Sequence, residues 1–173
     1  MTEKNYKREV ISILVDNESN VLARVVSLFG RRGFNIDSLT VSATNDPTLS
    51  RITIVFTGTD NALHQIITQT EKLEVVRDIF TLGRDDSIYR ELLLIKLRAD
   101  KTARTAIREI TDIYRGRIVD LSKSSLIIEM TGAPGKIDAF MEMMNCYDIA
   151  EVCRTGITGI GRDIMADDEP CKV

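Results

Sequence analysis

The chain has 173 residues, 43% of them hydrophobic and 28% charged, which is too apolar for a disordered segment and long enough for one ordinary domain or two small ones. Lys and Arg number 23 against 26 Asp and Glu, a net charge of -3, so the basic face that non-specific nucleic-acid or anionic-lipid binding requires is not expected. No apolar run approaches the roughly 18 to 20 residues of a membrane span, and no signal-peptide apolar region follows the charged start. The expectation is a cytoplasmic protein with no nucleic-acid and no membrane partner.

Residues 10–15 form a short β-branched and apolar run, the pattern of a strand. The segment from Asp16 to Asn20 leads into a helix whose apolar positions Leu22, Val25, Val26 and Phe29 repeat at helical spacing. Asn17, Ser19 and Asn20 can each cap that helix. The N–H groups exposed at such a terminus also attract an anion, and Asn20 tolerates left-handed backbone better than most residues. An ordinary capped turn and a small-ligand site both fit this segment. Arg31 and Arg32 suit the helix's last turn, and Gly33 is its expected stop.

Asn35 and Asp37 stand at the entrance of a second strand, 36–42. The run Asn45-Asp-Pro47 then gives turn chemistry in a hairpin loop longer than a hairpin needs, which suits a structural turn or an interaction loop. In the third strand, 51–57, Ile52, Ile54 and Phe56 alternate with Thr53, Val55 and Thr57, so one face is expected to be more buried than the other. Leu63, Ile66 and Ile67 mark a second helix, capped by Thr59 or Asp60, with His64 on its solvated face. A strand at 75–82 closes the half.

The same order returns. A strand at 92–98 precedes a helix on Ala103, Ala106, Ile107 and Ile110, capped by Asp100 or Thr102 and ending before Gly116. Strands at 117–121 and 126–131 follow, then a helix on Ile137, Phe140, Met141 and Met144 with Pro134 in its first turn, then a strand at 149–154. The run from Gly33 to Ile36 corresponds to that from Gly116 to Ile118, about 82 residues on. The predicted fold is α+β: two tandem ferredoxin-like βαββαβ domains, each an antiparallel sheet with two helices on one face. The expected division is 1–83, a polar linker 84–87, 88–163, and a mobile acidic tail 164–173. Units of this size have marginal cores and open strand edges, so association is expected.

Reactive chemistry is sparse. There is one histidine, and Cys146, Cys153 and Cys171 form no C-x-x-C pair, so neither a metal knuckle nor a disulfide framework is indicated. The cysteines read as small buried hydrophobes plus one tail thiol. An RNA-binding sheet of this topology needs aromatics that 10–15 lacks. The run Gly132-Ala-Pro-Gly135 is too short for a phosphate loop and reads as a turn. No catalytic and no metal-binding residue is assigned.

The run Asn17-Glu-Ser-Asn-Val-Leu-Ala-Arg-Val-Val26, with Leu28-Phe-Gly-Arg-Arg-Gly-Phe-Asn-Ile-Asp-Ser-Leu-Thr-Val41 and Asp46-Pro-Thr-Leu-Ser-Arg-Ile-Thr53, closely resembles the regulatory small subunit of acetohydroxyacid synthase, also called acetolactate synthase. The second half carries the resemblance in Arg90-Glu-Leu-Leu-Leu-Ile-Lys96, Tyr114-Arg-Gly-Arg-Ile-Val-Asp120 and Thr131-Gly-Ala-Pro-Gly-Lys-Ile-Asp-Ala-Phe140, so that it spans residues 8 to about 163. The resemblance implies an N-terminal ACT domain that binds an amino acid and forms a homodimer. It also implies a large catalytic subunit as partner, carrying thiamine diphosphate, Mg and FAD, with no cofactor in this chain. The implied effector is valine, held by Asn17, Asn20, Val21 and Leu22 of one copy facing Asn35 and Ile36 of its mate. The family usually has glycine at the position of Asn20, so a side chain stands here where the backbone would approach the effector. Two rival readings are a free-standing amino-acid sensor acting on another enzyme or a transcription factor, and a small enzyme built on the fold's own loops.

Overall fold

The computed structural model describes residues 6–162. Its elements run β1 (Lys7–Asp16), α1 (Val21–Arg31), β2 (Ile36–Ala43), β3 (Leu49–Gly58), α2 (Asp60–Thr70) and β4 (Val76–Thr81) in the first half. The second half has β5 (Ser87–Arg98), α3 (Lys101–Ile113), β6 (Arg117–Leu121), β7 (Ser125–Gly132), α4 (Pro134–Met144) and β8 (Asp148–Arg154), and β9 (Thr158–Gly161) follows. The fold is α+β, with two ferredoxin-like βαββαβ units in tandem. Both sheets are antiparallel, ordered β2-β3-β1-β4 and β6-β7-β5-β8.

The repeat extends to the irregularities. The ladder of β2 on β3 shifts between Ile36 and Ser38, and that of β6 on β7 between Ile118 and Asp120, 82 residues later. The shift between Leu14 and Val15 likewise returns between Lys96 and Leu97. The chain leaves α1 through left-handed backbone at Gly33 (φ 71°) and leaves α3 through Arg115 (φ 56°), one residue before the glycine that the sequence points to.

Each unit has its own core. Ile11, Ile13 and Val15 of β1 and Ile52, Ile54 and Phe56 of β3 pack against Val21, Val25 and Phe29 of α1, with Phe29 edge-on to Phe56 at 5.9 Å. In the second unit Leu93, Ile95 and Leu97 meet Ile107, Ile137, Phe140 and Met144, and Tyr114 sits edge-on to Phe140 at 5.4 Å. Glu91, almost fully buried, takes a two-pronged contact from Arg154 at 2.6 and 2.8 Å, and Arg154 also reaches Asp138 of α4 at 2.9 Å. These carboxylates hold the guanidinium strongly in its charged form.

Three expectations change. Thr53 and Val55 are as buried as the residues they alternate with, because the second face of the first sheet is covered too. Ile157, itself buried, returns to that face and its carbonyl accepts from Thr40 Oγ1 at 3.3 Å. By contact density the chain accordingly divides at Ile88 and Ile157: one unit runs through Ile88 and resumes at Ile157, and the other is Tyr89–Gly156. The short strand β9, unmarked by any apolar pattern, pairs with β5, and the Arg162 N–H donates to the Asp86 carbonyl. Finally, Cys146 and Cys153 are exposed rather than buried. Cys171 and the expected tail at 164–173 lie outside the described residues. Among the described residues no helix is long and apolar enough to cross a membrane.

Candidate functional site

The turn between β1 and α1 is built around an unusual cap. Asn20 is the N-cap residue in left-handed backbone (φ 67°, ψ 2°), and its side chain makes no capping hydrogen bond. The first helical bond runs from the Arg24 N–H to the Asn20 carbonyl at 3.1 Å. The N–H groups of Val21, Leu22 and Ala23 have no acceptor within the helix and point out of its positive end. The equivalent helix of the second unit differs: the Asp100 carboxylate accepts from the Ala103 N–H at 2.8 Å, so α3 fills its own anion position. Thr59 caps α2 in the same manner.

Two contacts pin this turn. Asn17 is consumed by the β2–β3 hairpin: its N–H donates to Thr48 O at 2.7 Å and its Nδ2 to Pro47 O at 2.9 Å, while Ser50 Oγ donates to its Oδ1 at 3.0 Å. The hairpin is rigid in turn, since the Asp46 carboxylate accepts from the Thr48 N–H and hydroxyl, which lowers its pKa from the ordinary value. On the other side Asp16 receives Arg77 through two bonds of 2.6 and 2.5 Å, which favours the charged guanidinium. The hairpin loop is therefore long because it braces the turn before α1.

The six candidate residues fall into two places. Asn17, Asn20, Val21 and Leu22 are together at the start of α1. The Val21 side chain belongs to the core, so only its backbone is available, whereas Leu22 and Val26 are exposed. Asn35 is exposed and Ile36 half-buried against the first core. They follow the end of α1, about 16 Å along the helix axis from its start at 1.5 Å per residue. One chain does not bring the two groups together.

An open groove of 330 Å³ is lined by Asn20, Arg24, Ser27 and Arg31 of α1 together with Leu73. Neither arginine has a carboxylate partner among the described residues. Sequence reasoning missed this stripe, although residues 20, 24, 27 and 31 have the spacing of one helix face. His64 is exposed on α2, and the described residues contain no cluster of three potential metal ligands.

Residues 11–78 match the family described as the AHAS small subunit-like ACT domain, and residues 90–163 match the small subunit of acetolactate synthase. The chain is 41% identical over 156 residues to the acetolactate synthase isozyme 3 small subunit of Escherichia coli K12, an alignment covering 90% of this chain and 96% of that one. It is 45% identical over 152 residues to the acetolactate synthase small subunit of Mycolicibacterium smegmatis, covering 88% and 89%. The crystal structure of the acetolactate synthase small subunit from Thermotoga maritima matches with a TM-score of 0.84 at 37% identity, covering 91% of this chain and 99% of that one. With both units matched in order and at such identity, the chain belongs to the acetolactate synthase small-subunit family.

Proposed function

We propose that this chain is the non-catalytic regulatory subunit that activates the acetolactate synthase large subunit and gives it a feedback response to valine in branched-chain amino-acid biosynthesis. The observation that carries the effector reading is the open start of α1, where the side chain of Asn20 leaves the first N–H groups free for a carboxylate. Asn35 of a second copy offers a carbonyl to the ligand's ammonium, and exposed Leu22 offers an apolar contact to its side chain. Because the two groups of residues stand at opposite ends of α1, the site requires a homodimer through the first units, with two equivalent sites. Thiamine diphosphate, Mg and FAD belong to the large subunit, and the complex works in the cytoplasm.

Capture with this chain as bait, from the extract of its native cell, tests the partner. Recovery of an acetolactate synthase large subunit supports the reading. Recovery of a different enzyme or a transcription factor, with no large subunit, favours a free-standing amino-acid sensor instead.

A further inference from the structure

The net charge of the chain is not spread evenly. Asp163, Asp167, Asp168 and Glu169 stand in the last 11 residues, where Lys172 is the only basic side chain. Of the 26 acidic and 23 basic residues, 1–162 therefore carry 22 of each, and the whole net charge of -3 falls in 163–173.

Helix α1 is its counterpart. Val21–Arg31 contains no acidic residue, and Arg24 and Arg31 line one groove with no carboxylate partner among the described residues. By contrast Arg77, Arg98, Arg108 and Arg154 each hold a carboxylate. A guanidinium keeps its charge at any ordinary pH, so the groove stays cationic, while Leu28 and Leu73 give it an apolar wall.

The topology brings the acidic segment to the right end of the unit. The Leu82 N–H donates to the Val10 carbonyl, and Ile36, past the end of α1, stands level with Phe56 and so with Glu9. Helix α1 and strand β4 thus finish at the same end of the sheet. The Arg162 N–H donates to the Asp86 carbonyl, just past Leu82, and from Ile157 onward the chain belongs to the unit that contains α1. Residues 163–173 therefore depart from the end where Arg31 stands. Extended chain from 163 to Glu169 spans about 23 Å, against a radius of gyration of about 13 Å for a unit of this size, so its carboxylates can reach along α1 to Arg24.

We infer that residues 163–169 dock on the α1 groove of the same chain, their carboxylates against Arg24 and Arg31 and the side chains of Ile164 and Met165 against Leu28 and Leu73. The tether presents the segment at an effective concentration on the order of millimolar, which a separate acidic partner must match by abundance, and this is why the chain's own segment is the occupant. Exposed ion pairs are weak one by one, so the contact is a displaceable cover that screens the groove from other anions. It rests on Arg24 and Arg31 and needs neither the effector nor the large subunit.

Cys171, two positions past Glu169, supplies the probe. In the full chain with Cys146→Ser and Cys153→Ser, a nitroxide on Cys171 should cost the Ala23, Ser27 and Arg31 amide resonances intensity relative to the reduced label. At about 1 M salt, where the Debye length is about 3 Å, the loss should disappear. Arg24→Glu with Arg31→Glu should abolish it, and so should Asp167→Asn, Asp168→Asn and Glu169→Gln together. Unchanged hydrogen exchange at the Ile13 and Ile54 amides shows that these variants keep the first unit folded. Full intensity at α1 in the unaltered chain overturns the inference, as does a loss that persists in folded charge variants. Loss seen only when label and isotope are on different chains also overturns it, because the groove then holds the segment of a second copy.

Discussion

Asn17→Ala separates a brace from a ligand contact. The change removes the acceptor for Ser50 Oγ, and Ser50 is only 7% exposed, so its hydroxyl is left without a partner. It also removes the Nδ2 bond to Pro47 O at the surface. An orphaned buried hydroxyl costs about 1 to 3 kcal/mol and an exposed bond about 0.5, so a loss of about 2 kcal/mol is expected for the first unit. With a urea dependence of about 2 kcal/mol per molar, the midpoint should fall by about 1 M. Hydrogen exchange at the Ile13 and Ile54 amides in urea reads the first unit selectively, since both lie in its core. Adding Ser50→Ala should recover part of the loss, because the unpaired hydroxyl is then gone. A midpoint shift below about 0.2 M, or full additivity of the two changes, would refute the brace and return Asn17 to the list of direct ligand contacts.

Asn20→Gly should tighten valine binding about fivefold or more, because it clears a side chain from a turn whose left-handed backbone suits glycine; calorimetric titration that shows tighter binding by the unaltered chain would make Asn20 a ligand contact. Glu91→Ala should destabilise the second unit by about 2 kcal/mol, less than a fully buried pair because Arg154 is partly solvated, and leave the first unit's exchange pattern unchanged. Truncation after Gly83 removes Ile157 from the face carrying Val10, Ser12, Thr53 and Val55, so the isolated first half should aggregate, or bind a hydrophobic dye, where the full chain does not. A soluble fragment with native-like exchange protection would contradict that.

Most of the architecture was legible because it rests on periodicity. The stripe through Val25 and Phe29 and the alternation through Ile52, Ile54 and Phe56 can each satisfy one geometry only. Cap chemistry was legible in part: Pro134 was placed in the first turn of α4, whereas Thr59 and Asp100 were each one of two candidates, and the structure selects them. What stayed hidden depends on distant partners. Nothing local in Thr158-Gly-Ile-Gly161 marks a strand, since β9 is held by its pairing with β5. Thr53 and Val55 could not announce that a segment a hundred residues later would come to rest on their face. At the site, the left-handed tendency of Asn20 was readable from its type, but the capture of Asn17 by Pro47 and Ser50 was not, because side-chain hydrogen bonds across a hairpin leave no pattern in the chain.

The measurement that tests the account most directly is the rate of acetolactate formation by the purified large subunit, with and without a saturating excess of this chain, titrated with valine. The chain alone should form no product, the mixture should turn over faster than the large subunit alone, and valine should lower only the rate of the mixture. A large subunit whose rate is unchanged by saturating amounts of this chain would contradict it.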